Sequence, residues 1–142
     1  MDNDYIKTLS SEEKLIFLKI FCCLIRADSN IDSEEVRFLK KIAARYGVDN
    51  NTVIGIIKTP KIDYVAEARK ITSRAHALHL VKEMCVIANI DDDLADKELD
   101  VVIDCARAMG IEDEKIVLIN RWVLDSLVLT KTGQLIMEEN NG

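Results

Sequence analysis

One register constrains this chain more than any other feature. Sliding the sequence by 63 residues lays Gly47 on Gly110, Leu15 on Leu78, Lys19 on Lys82, Cys22 on Cys85, Asp28 on Asp91, Glu35 on Glu98 and Ala43 on Ala106, with no gap from Leu15 to Gly47. Ile31 meets Leu94, and Val48 meets Ile111. Self-similarity at a fixed period marks stacked supersecondary units, each burying an apolar face that it cannot bury alone. Here the unit reads as an apolar helix, an acidic turn and a second helix. The first copy spans residues 11–49, the second 74–112, and a C-terminal helix at 113–139 completes a single domain over 1–142.

Local signals place the helices. Ser10-Ser11-Glu12-Glu13 and Asp32-Ser33-Glu34-Glu35 are capping boxes, in which the first side chain accepts from an early backbone N–H and the Glu reaches back. The first box opens a helix to about Ala27 that is apolar almost all round, which fits the centre of a bundle. The second opens a helix with Val36, Leu39, Ile42, Ala43 and Tyr46 at helical spacing, stopped by Gly47. Short helices are expected at Asn50–Lys58 and after Asp63, a fifth from Thr72 or Ser73, and a sixth from about Ala95 to Gly110. The last is amphipathic through Ile116, Ile119, Trp122, Val123 and Leu127, with a break expected near Gly133. The sum is an all-α fold of about seven helices.

Charge and composition exclude several classes. With 19 Lys and Arg against 25 Asp and Glu, the net charge is −6, and the basic residues lie scattered among acids. That is the wrong sign for phosphate backbones or an anionic membrane surface. The N-terminal segment is acidic and polar rather than signal-like, and no apolar run approaches the roughly 20 residues of a membrane span. The four cysteines sit in apolar runs without CxxC spacing and are expected buried and reduced. A cytoplasmic location follows as the expectation.

The turns carry what chemistry there is. Asp28, Asn30, Asp32, Glu34 and Glu35 crowd the first, and Asp91, Asp92, Asp93, Asp96 and Glu98 crowd the second. Ca²⁺ and other hard divalent cations take several oxygen ligands, so Asp28, Asp32, Glu35, Asp91, Asp92, Asp93 and Glu98 are the candidate metal residues. Asp28, Asn30 and Asp32 match the first three ligand positions of an EF-hand loop, but Ser33 stands where Gly is needed and Leu39 where a bidentate Glu is needed. The loop is therefore not an EF-hand. The alternative is that these acids are helix caps and Asx turns, favoured at helix N-termini by the macrodipole. The second turn resists that reading, because three consecutive aspartates repel one another and a cation relieves the repulsion.

His76-x-x-His79 with Glu83 also falls near one helix face, as zinc ligands can. No full ligand set accompanies it, and its register partners Ile16 and Ile20 are core residues, so a buried polar group is the expected role. No nucleophile–base pattern or phosphate loop is present, and no enzyme is expected.

The stretch from Ala27 to Glu35, followed by Leu39-x-x-Ile42-Ala43 and Gly47-Val48, resembles the Ala-Asp-Gly-x-Ile-x-x-x-Glu signature of the TerB-like family. That family includes the tellurite-resistance protein TerB and the N-terminal region of the membrane-anchored DnaJ-type co-chaperone DjlA. The resemblance runs from about Leu15 to Ile111. It implies about seven helices, an acidic surface binding divalent metal through Asp28, Glu35, Asp91 and Glu98, and a role in tellurite or metal stress, among protein partners in membrane-associated complexes. Two departures stand out: the family Gly is Ser29 in the first unit and Asp92 in the second, and the Ala is Ile90 in the second. The alternative function is a protein-interaction or homodimerisation module without metal, exposing an apolar patch around Trp122.

Overall fold

The computed structural model describes residues 4–27, 30–90 and 96–138. Among them are a short 3-10 helix, Asp4–Thr8, and seven α-helices: α1 Ser11–Ile25, α2 Ser33–Arg45, α3 Asn50–Lys58, α4 Tyr64–Arg69, α5 Arg74–Asn89, α6 Asp96–Ala108 and α7 Asp113–Glu138. No strand occurs among the described residues.

Helix α1 is the centre of the bundle because from Ile16 to Leu24 its sequence leaves only Lys19 for solvent. Ile16, Phe17, Leu18, Ile20, Phe21, Cys22, Cys23 and Leu24 are all buried, and α2 to α6 pack around it. Both predicted capping boxes form. The Glu13 N–H donates to Ser10 Oγ at 3.0 Å while the Ser10 N–H donates to Glu13 Oε1 at 2.9 Å. Asp49, Asp63 and Ser73 cap α3, α4 and α5 in the simpler one-way manner.

The helix boundaries repeat at the spacing of the sequence match. A step of 63 residues carries the starts of α1, α2 and α3, at 11, 33 and 50, onto those of α5, α6 and α7, at 74, 96 and 113. The terminations repeat as well. Gly47 and Gly110 adopt φ of +73° and +77°. The residue after each donates back across the helix end, Val48 to the Ala43 carbonyl at 3.0 Å and Ile111 to the Ala106 carbonyl at 2.9 Å, closing two Schellman motifs.

Two expectations need correction. Helix α7 runs unbroken through Gly133, whose exposed position asks nothing of a side chain and so tolerates glycine without a kink. Trp122 does not face the core: Ile116 and Val123 are buried and Ile119 and Leu127 half-buried, whereas Trp122, one residue and about 100° from Val123, is exposed. The cysteines meet expectation. All four are free and buried, and burial pushes the Cys23 thiol up to about 11 and those of Cys85 and Cys105 to about 12, far from thiolate reactivity.

Alanine at Gly47 or Gly110 should cost about 1–2 kcal/mol each, because a Cβ is strained at positive φ although space is open around both. Gly55→Ala, within α3 and with nothing near its added Cβ, should instead stabilise by about 0.5–1 kcal/mol. Urea denaturation of the three variants checks both the signs and their order.

Candidate functional site

The first acidic turn runs from the capped end of α1 to the capped start of α2. Arg26 closes α1 and reaches across to α3, its guanidinium donating to the carbonyls of Ile57 at 3.1 Å and Thr59 at 3.0 Å. That clamp fixes where the turn leaves the bundle. On its far side Asp32 Oδ1 accepts from the Glu35 N–H at 2.8 Å, and Glu35 Oε1 accepts from the Asp32 N–H at 3.1 Å. One oxygen of each candidate ligand is therefore engaged at the start of α2. In the second turn Glu98 stands half-buried at the third position of α6. Asp28, Asp91, Asp92 and Asp93 lie outside the described residues. Among the described residues, no group of three or more His, Cys, Asp or Glu side chains is arranged to hold a metal ion.

The histidines belong to a different construction. His76 Nδ1 lies 2.6 Å from Glu13 Oε2, and its Nε2 lies 3.0 Å from Thr8 Oγ1, so both ring nitrogens have protein partners. His79 stacks flat on Tyr5, with ring centroids 4.2 Å apart and an interplanar angle of 9°. Glu83 is buried and pairs with Lys82 Nζ at 3.1 Å, with the Arg45 guanidinium 4.0 Å away. Lys82 in turn sits 4.6 Å over the Tyr5 ring, a cation–π contact. Tyr5 completes the cluster through a 2.7 Å bond between its hydroxyl and that of Tyr46. Burial, above all, raises both phenols well out of the neutral range, so they remain protonated.

This cluster docks the N-terminal 3-10 helix onto α2 and α5. Tyr5 and its role were missed from the sequence, where residues 1–10 read as a polar leader to α1. The signal was there in Tyr5-Ile6-x-x-Leu9, three residues at helical spacing and all buried. Asn89 was missed too: buried at the end of α5, it donates to the Cys85 carbonyl at 2.7 Å and to Asn120 Oδ1 of α7 at 2.9 Å.

A third feature is apolar. Nine large hydrophobic side chains of α7 are at least 40 % exposed, and α7 borders a groove of about 640 Å³ against α5 and α6. None of the described helices is both long and apolar enough to cross a membrane.

With this geometry in hand, comparison with known proteins gives one firm result. The family model described as Tellurite resistance protein TerB matches residues 20–121, which takes in both acidic turns. The chain belongs to the TerB family, a tellurite-resistance family whose members are generally non-enzymatic. No curated protein and no solved structure matches the chain significantly.

Two predictions concern the polar cluster. Glu83→Gln removes the carboxylate that pairs with the buried Lys82, and should lower unfolding free energy by about 3 kcal/mol in chemical denaturation. Glu13 carries the acid dependence. Its partial burial pushes the carboxyl up, but the Ser10 backbone N–H and then His76 outweigh this and hold it below the usual glutamate range. A depressed carboxylate contributes stability that is present above its unfolded pKa and lost as the pH falls through the folded one. Glu13→Gln should therefore lose more stability at pH 7 than at pH 3, measured by urea titration at both.

Proposed function

We propose that the protein is a non-enzymatic, cytoplasmic TerB-family domain that binds divalent cations through its two acidic turns, within a tellurite or metal stress response and among other proteins of that response. The family match carries this reading, since it spans both turns in a chain whose second turn bears three consecutive aspartates. The chemistry supports it. An all-oxygen set drawn from Asp28, Asp32 and Glu35, or from Asp91, Asp92, Asp93 and Glu98, suits Ca²⁺ better than a soft metal. The four cysteines, which a soft metal would prefer, are buried in the core with raised thiol pKa values.

The scaffold makes such binding physically reasonable. The first turn ends at the start of α2, where the capping box holds one oxygen of Asp32 and one of Glu35 in place and limits the ordering that a cation must impose. The three neighbouring aspartates of the second turn repel one another at neutral pH, and a bound cation converts that repulsion into attraction. Calorimetry and thermal melts with Ca²⁺, Mg²⁺, Mn²⁺ and Zn²⁺ test the proposal. The expected outcome is heat with at least one hard cation, stabilisation approaching about 2.7 kcal/mol at a hundredfold excess over Kd, and loss of both in the Asp28→Asn/Asp91→Asn variant. No heat and no melting shift with any of the four ions overturns it.

A further inference from the structure

We infer that α7 is the interface of a symmetric dimer, in which two copies of this chain pair antiparallel about Ser126. The inference makes specific the docking alternative that the sequence leaves open, and it holds whether or not the turns take up a cation.

The argument starts from how little of α7 the bundle uses. At 26 residues it is about 39 Å long, against about 24 Å for α5, which it packs on. Its contact with the core ends at Leu127, and every residue from Val128 to Glu138 is exposed. A helical end of that length gains little stability from its own hydrogen bonds in water and is sustained by packing of an apolar face. The face is there, and the bundle does not cover it.

Its pattern says what covers it. Val117, Leu124, Val128 and Leu135 are 65 %, 40 %, 63 % and 65 % exposed, and their spacing of seven, four and seven residues puts them on one stripe. The stripe reads the same in both directions from Ser126: Leu124 and Val128 are each two residues away, and Val117 and Leu135 are each nine. Such a stripe complements an inverted copy of itself, the requirement of a two-fold interface. The inner half, Val117 and Leu124, also walls the groove of about 640 Å³, which Leu99, Val102 and Ile103 of α6 face from the other side. The outer half, Val128 and Leu135, lies on the overhang. In the antiparallel pair each overhang enters the groove of the other copy, Val128 beside Leu124 and Leu135 beside Val117. One molecule thus carries both the groove and the helix end that fits it.

The same symmetry brings Arg121 and Lys131, each five residues from Ser126, onto one level of the seam. Two like-charge meetings weaken the dimer and make it reversible. About a dozen residues per copy, counting the α6 wall and the aliphatic stems of Arg121 and Lys131, fall below the 20–30 of a standard interface, so association is expected in the micromolar range.

Sedimentation equilibrium from 10 to 200 µM tests this, with far-UV circular dichroism to verify folding of each variant at these exposed positions. The expected result is a monomer–dimer equilibrium that Val128→Glu abolishes. Leu129→Glu, on the other outer stripe with Leu118, Trp122 and Ile136, should leave it unchanged. The charged level gives a register-specific readout. Arg121→Glu alone or Lys131→Glu alone should tighten association about tenfold, by replacing repulsion with attraction at both ends, and the two together should return it near the wild-type value. A chain that is monomeric at 200 µM overturns the proposal and leaves α7 to a different partner. So does a dimer that survives Val128→Glu, that is lost with Leu129→Glu, or whose two charge swaps simply add.

Discussion

The burial of α1 is the constraint from which the rest of this structure follows. A fifteen-residue helix with eight buried side chains, apolar from Ile16 to Leu24 at every position but Lys19, cannot lie on the surface of anything. Five other helices, α2 to α6, surround it, and α2, α3, α4 and α5 each start at their own side-chain cap. Stability here comes from enclosing one helix, so the surrounding helices need only one apolar face each. Helix α2 shows this economy: Leu39, Ile42 and Ala43 are buried, while Arg37, Lys41 and Arg45 are exposed.

Enclosure also accounts for where polar chemistry appears. At the register positions of Ile16 and Ile20 in α1, α5 carries His79 and Glu83. Glu83 puts charge inside the bundle, and the chain meets the cost locally. Lys82 neutralises Glu83, Tyr5 covers Lys82 and stacks on His79, and Tyr46 satisfies Tyr5. The pair by itself is a doubtful source of stability, since taking two charges out of water offsets most of their attraction. What it provides is a specific seat for the 3-10 helix, whose position depends on four partners at once.

The sequence announced the helices because their signals are local. Capping residues at Ser10, Asp32, Asp49, Asp63 and Ser73, and glycines at 47 and 110, act within a few residues of where they stand, and each lies where the structure uses it. Most of the failures are non-local. In the sequence Trp122 reads both as part of the amphipathic stripe of α7 and as the centre of an exposed apolar patch, and packing selects the second, since the face that meets the core is narrower than the stripe. A break at Gly133 was expected from propensity, whose cost of about 1 kcal/mol one helix absorbs. Tyr5 could not be paired with Tyr46 from the sequence, since 41 residues separate them. Of the candidate metal residues, Asp32 and Glu35 were legible as a capping box, and Glu98 as a residue of the first turn of α6. Asp28 and Asp91–Asp93, outside the described residues, remain readings of spacing, charge and family.

The 63-residue register reappears in one contact, and that contact bears on how the halves meet. Glu13 and His76 occupy equivalent positions, each the third residue of its helix, and they touch one another at 2.6 Å. The starts of α1 and α5 therefore meet through residues at the same place in the 63-residue register. Two acids meeting at that place would repel each other. Glu13 in one unit and His76 in the other resolve this by pairing an acceptor with a donor. The same reasoning applies to α7 at larger scale. Its start repeats that of α3, yet α3 stops at Lys58 after nine residues while α7 continues for 26. The additional length has no counterpart in the first half to pack against. Nothing in the described bundle covers it, and its apolar stripe faces outward.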